Sequence, residues 1–90
     1  MHEAHVVVTN QLGLHARAAA KLVKLSQLFN SSITLIREDN SAVADAKSIL
    51  SILTISASIG TPLIVRVDGE DERNAIDAIV DLFSQKFGER

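Results

Sequence analysis

Apolar and polar positions alternate along the chain in a way that predicts seven elements. Ala4–Thr9 is a short β-branched run with Val6-Val7-Val8 at its centre, and it reads as a strand. Asn10-Gln11-Leu12-Gly13 carries turn residues. From Ala16 the texture changes to Ala, Leu and Lys, all good helix formers. There Ala18, Leu22, Leu25 and Phe29 recur at helical spacing, as do Ala19 and Val23, while Arg17, Lys21, Lys24 and Gln27 hold the other side. Asn30-Ser31 ends this helix.

Ser32–Glu38 and Ala42–Asp45 flank Asp39-Asn40-Ser41, a strand–turn–strand pattern. In Ser48–Thr54 the apolar residues Ile49, Leu50, Ile52 and Leu53 are too dense for a one-sided strand. The segment reads as a short helix capped by Ser48. Gly60-Thr61-Pro62 opens a strand in which Leu63, Val65 and Val67 alternate with Ile64, Arg66 and Asp68. Asp71 and Glu72 suit the start of a last helix, whose stripe is Ile76, Ile79, Val80, Phe83 and Phe87 and whose end is marked by Lys86 and Gly88. The order is βαββαβα. A central hairpin and helices with one apolar stripe predict an α+β fold, an antiparallel sheet with helices on one face. The 90 residues leave room for one domain, spanning 1–90.

Composition narrows the function classes. A formal charge of −2 steers the chain neither to nucleic acid nor to an anionic membrane. Tyr and Trp are absent, which argues against base stacking. Without Cys there is no disulfide, thiolate chemistry or zinc–sulfur site, and no metal or other cofactor is expected. His2 and His5, three residues apart at a terminus, read as surface residues. No targeting segment is visible, and Ser48–Val65 is too polar for membrane insertion, so the expected address is the cytoplasm.

Chemistry concentrates in Gly13-Leu14-His15-Ala16-Arg17. His15 stands at the start of the first helix, where amide N–H groups lack partners and the dipole adds positive potential. That field disfavours imidazolium and leaves a nucleophilic lone pair. The same amides, with the Arg17 guanidinium, can hold an anion joined to the ring. By residue type alone, a histidine there also reads as a polar surface residue, Arg17 as a solvated charge and Gly13 as turn chemistry.

The run Val8-Thr9-Asn10-Gln11-Leu12-Gly13-Leu14-His15-Ala16-Arg17 closely resembles the active-site segment of the HPr family, the histidine-containing phosphocarriers of the phosphoenolpyruvate-dependent phosphotransferase system. Lys47-Ser48-Ile49-Leu50, Gly60 and Gly69-Glu70-Asp71 extend the resemblance over nearly the whole chain. It implies an HPr-like open-faced β-sandwich, a four-stranded antiparallel sheet covered on one face by three helices. It further implies phosphorylation of His15 on Nδ1 by enzyme I and transfer to a IIA domain, with Arg17 and the backbone amides of Ala16 and Arg17 holding the phosphate. Such a carrier has no independent turnover. One departure stands out: the family's usual His-Ala-Arg-Pro-Ala is here His-Ala-Arg-Ala-Ala, and Ala18 restores an N–H that proline lacks.

Ser48 matches the serine modified by HPr kinase/phosphorylase in some relatives, and capping alone also explains it. Ile49, Leu50 and Leu53 are either core or, on the family pattern, a docking patch beside the site, with Lys21 and Lys24 as its basic rim or as solvated charges. Two branches fit: HPr proper, in sugar uptake or its regulation, and the nitrogen-branch NPr. The absence of glycine from Ser48–Ile55 leans towards NPr, and Lys47-Ser48 towards HPr. An ACT-like regulatory or ligand-binding domain would share the alternation of strands and helices without reason for this histidine motif.

Overall fold

A computed structural model describes residues 1–89. Strand β1 (His2–Val7) is followed by helix α1 (Ala16–Ser26), strands β2 (Ser32–Arg37) and β3 (Val43–Asp45), and helix α2 (Ile49–Leu53). Strand β4 (Pro62–Asp68), helix α3 (Glu72–Ser84) and a 3-10 turn over Lys86–Gly88 complete the order. All pairings are antiparallel, in the spatial order β1-β4-β2-β3. The result is the open-faced α+β sandwich expected from the βαββαβα pattern.

Register explains which residues face the helices. Ala4 pairs with Val65 and Val6 with Leu63, while Ile33 pairs with Val67 and Leu35 with both Val65 and Ala44. Directly opposed residues point to one face. These join Ala18, Ala19, Leu22 and Val23 of α1 and Ala75, Ile76, Ile79 and Phe83 of α3 in the core. The three alanines let the helix backbones lie close to the sheet. At about 25 cal/mol per Å² this shared apolar burial is the main favourable term for the fold.

Three boundaries differ from the sequence expectation. Strand β1 lies two residues earlier than Ala4–Thr9 because its ladder runs from His2↔Val67 to Val7↔Pro62. Val8 is nevertheless fully buried and tied to the Gly60–Thr61 turn through Val8 N–H to Thr61 O (3.0 Å) and Gly60 N–H to Val8 O (2.7 Å). Helix α1 stops at Ser26, and Leu28 and Phe29 enter turns bonded to Leu25 O and Ser26 O. Phe87 is not on the α3 stripe. The helix ends at Ser84, and left-handed backbone at Lys86 (φ 55°) and Phe87 (φ 57°) turns the chain back. Phe87 is buried all the same, edge-on to Phe83 at 4.9 Å. Val80 is half-buried and packs against the core, which Ala75 also joins.

The predicted hairpin turn is present. Asn40 is left-handed (φ 61°), and Asp39 Oδ1 accepts from Ser41 N–H and Oγ–H. The two N-terminal histidines lie at the surface, as expected. His2 Nδ1 is 2.5 Å from Glu72 Oε2 and His5 Nδ1 is 3.3 Å from Glu38 Oε2. Among the described residues no helix is long and apolar enough to cross a membrane.

Candidate functional site

The loop between β1 and α1 is built to present one side chain. Asn10 is fully buried; its carbonyl accepts from Gly13 N–H (3.1 Å) and its Nδ2 donates to Gly13 O (2.7 Å). Leu14 N–H bonds Ala57 O at 2.9 Å, fastening the loop to the segment after α2. Gly13 is left-handed (φ 71°), and a Cβ there would lie 2.6 Å from Ala57 O and 2.9 Å from Ser58 Cα. Only glycine fits both the backbone angle and the approach.

The next residue but one is His15, the N-cap of α1, in extended backbone (φ −77°, ψ 178°). Its Nδ1 accepts from Arg17 N–H at 3.3 Å, and its carbonyl accepts from Ala19 N–H at 2.8 Å. On the opposite side of the ring, Nε2 lies 2.7 Å from Glu89 Oε2. An ionised carboxylate only accepts, so Nε2 carries the proton and Nδ1 the lone pair. The two hydrogen bonds assign one tautomer. The bond from Arg17 is long and weak, so a stronger partner at Nδ1 displaces it readily.

The surroundings of Nδ1 are suited to an anion. Helix geometry leaves the N–H groups of Ala16, Arg17 and Ala18 without intrahelical acceptors. Ala18 therefore contributes a third donor where proline would contribute none, and its methyl is fully buried. The first turn carries no acidic residue. Arg17 is exposed, and its guanidinium has no partner among the described residues. The side chain of His15 is 28% exposed, accessible on one edge and supported on the other.

Glu89 is the site residue that the sequence did not disclose. Hydrogen bonds from His15, then from Asn10 Nδ2 (3.2 Å), hold its carboxyl below the usual carboxylate value. Lys21 also departs from expectation. Rather than standing free as part of a basic rim, its Nζ donates to Phe87 O at 2.6 Å. Lys24 remains exposed on the helix face.

Ser48 is the N-cap of α2, and its Oγ accepts from Ser51 N–H at 3.2 Å. Ser51 Oγ in turn accepts from Asp45 N–H at 2.9 Å. Within α2 only Ile52 is buried, while Leu50 is 78% exposed and Ile49 and Leu53 are exposed to about half that extent. The reading of all three as core is therefore wrong, because a five-residue helix over the sheet has one inward position. Leu12 and Ile59 are exposed as well, in the two segments that Leu14 N–H to Ala57 O joins.

The arrangement is that of a small α+β protein presenting one ring nitrogen with a lone pair, reachable from solvent, at a helix start whose amides can hold an anion. Residues 2–85 match the family model described as the PTS HPr component phosphorylation site. The HPr of Xylella fastidiosa is 46% identical over 99% of this chain and 98% of its own length. The NPr of Proteus mirabilis is 39% identical over 93% and 92%. A crystal structure of HPr from Thermoanaerobacter tengcongensis superposes with a TM-score of 0.93 at 38% identity, covering 100% of this chain and 99% of that one. The chain belongs to the HPr family of histidine-containing phosphocarriers of the phosphotransferase system. Family membership displaces the ACT-like alternative.

Proposed function

We propose that the whole chain, 1–90, acts as one phosphocarrier domain in which His15 Nδ1 takes a phosphoryl group from enzyme I and passes it to a IIA domain. The observation that carries this reading is the tautomer: Nδ1 holds a lone pair at the start of α1 while Nε2 donates to Glu89. In the forward step that pair forms the N–P bond as the donor's bond to phosphorus breaks, its electrons leaving with the donor. Arg17 N–H is released from Nδ1 and, with the Ala16 and Ala18 amides and the Arg17 guanidinium, accommodates the phosphoryl oxygens. The reverse step needs the same groups, as suits transfer in both directions. His15 is a stoichiometric acceptor, and the partner proteins supply the rest of the chemistry.

Ile49, Leu50 and Leu53, with Leu12 and Ile59, form the apolar part of the docking surface, and Lys24 and Arg17 its basic edge. Lys21 serves the site through Phe87 O more directly than it serves a partner. Ser48 is a cap first; modification by an HPr kinase/phosphorylase would place a phosphate on this same docking surface. Cytoplasmic residence follows from the expected partners. Identity of 46% to an HPr and 39% to an NPr supports the HPr assignment, with the glycine-free α2 segment as the feature favouring NPr.

Intact-mass spectrometry after incubation with phosphoenolpyruvate and enzyme I tests the reading. One acid-labile phosphate is expected on the wild type and none on His15→Ala. Arg17→Ala should be labelled about 10–100-fold more slowly, since it removes one charge-stabilising group at an exposed site. Labelling of His15→Ala at the wild-type level would refute the assignment. Offering the labelled protein to sugar-branch and nitrogen-branch IIA domains then separates the two branches.

A further inference from the structure

The C-terminal segment is fastened to the site by contacts that neither the sheet nor the helices require. After α3 the chain turns through left-handed backbone at Lys86 and Phe87, an uncommon conformation for residues with a side chain. Three interactions hold that turn: Phe87 is buried against Phe83, Phe87 O accepts from Lys21 Nζ at 2.6 Å, and Glu89 N–H bonds Lys86 O at 2.9 Å. The outcome is that Glu89, with its side chain 15% exposed, faces the imidazole. Asn10 Nδ2, whose other acceptor is Gly13 O, donates to Glu89 Oε1 at 3.2 Å. One buried amide therefore orients both the glycine before the nucleophile and the carboxylate behind it.

We propose that Glu89 is a positioning residue for His15, whose carboxylate offsets the positive charge that the imidazole acquires when Nδ1 takes a phosphoryl group. The inference rests on the phosphocarrier reading of His15. Its charge balance is simple. Nδ1 donates its lone pair to phosphorus while Nε2 keeps its proton, so the ring gains one unit of positive charge without any proton transfer. Glu89 already sits on that Nε2–H at 2.7 Å, where an added ring charge strengthens the bond. When the phosphoryl group leaves, the pair returns to Nδ1 and the ring is neutral again. Glu89 thus stabilises the phosphorylated form over the free one, as an outer carboxylate does for a metal-bound histidine. The arrangement also sets the phosphoryl-transfer potential of the carrier from the side of the ring remote from its partners.

The test uses the full chain, with Glu89→Gln and Glu89→Ala. In the unphosphorylated protein, NMR of the His15 ring should show a deshielded, slowly exchanging Nε2–H proton that Glu89→Ala loses. At equilibrium with enzyme I, phosphoryl partition towards the carrier should fall about three- to tenfold in both variants, the scale of one partly exposed charge pair. Glu89→Gln keeps the size and an acceptor oxygen, so a loss there reports charge rather than packing. Wild-type partition in Glu89→Gln, or a wild-type ring without the bonded Nε2–H proton, would overturn the proposal. A wild type that takes no phosphate at all would instead overturn the phosphocarrier reading and this inference with it.

Discussion

The starts of α1 and α2 are both capped by a side chain that accepts an amide N–H, His15 from Arg17 at 3.3 Å and Ser48 from Ser51 at 3.2 Å. Yet their surroundings differ. Around Ser48 the hydrogen bonds close on themselves, since Ser51 Oγ is taken by Asp45 N–H and Lys47 Nζ by Phe29 O. Around His15 the opposite ring nitrogen is bound to a carboxylate, the Arg17 guanidinium has no partner among the described residues and the helix is long enough to hold a strong end. A cap whose bond is its whole role is structural. A cap with a second atom tied to a charge, and a displaceable bond at the first, is prepared for chemistry.

Disturbing the loop below His15 should have the largest effect on this contrast. Gly13→Ala places a Cβ 2.6 Å from Ala57 O in left-handed backbone. The backbone conformation alone costs about 1–2 kcal/mol, and displacement of the 57–58 segment adds to it. Both thermal stability and the rate of phosphoryl acceptance should fall, the second because His15 and the α1 amides shift together. Wild-type labelling kinetics in this variant would show that the loop does not position the nucleophile. Ser48→Ala is the smaller, complementary change. It should cost about 0.5–2 kcal/mol, read as a drop in Tm, while acceptance at His15 keeps its wild-type rate. A slowed acceptance would mean that the two helix starts are coupled and the contrast is less sharp than the hydrogen bonds indicate.

Much of this was legible because it is local. Helical stripes such as Ala18-Leu22, the alternation Leu63-Val65-Val67 and the turn residues Asp39-Asn40-Ser41 each act within a few positions, and the structure keeps them. The place of the candidate nucleophile was legible for the same reason, since His15 as the cap of α1 needs only a loop before it and a helix after it. What escaped depends on chain reversal. Phe87 continues the α3 spacing on paper, but left-handed backbone at Lys86 and Phe87 breaks the period just before it. That reversal carries Glu89 to a residue 74 positions away and gives Lys21 a carbonyl partner. No periodicity records such a contact. Nor does composition show which of Ile49, Leu50, Ile52 and Leu53 faces inward on a helix of five residues, where only Ile52 does.

Acid titration sharpens the comparison further, because the Ser48 cap contains no titrating atom whereas carboxylates brace other parts of the fold. At the remote end of β1, the Met1 amino group and then His2 bond to Glu72 and hold its carboxyl down to about 2 from an ordinary 4.5. The folded value is the lower one, so the folded state favours the ionised form. The stability this contributes is fully present above 4.5 and is lost as pH falls through about 2. Glu89 is depressed in the same direction, so its contribution is likewise lost on acidification. Thermal melts of Glu72→Gln and Glu89→Gln should therefore lie below the wild type near neutral pH and converge on it in acid. The deficit of Ser48→Ala should stay constant over the same range. Parallel curves for all three variants would mean that the carboxylate contacts carry no differential ionisation, and that Glu89 braces His15 by shape alone.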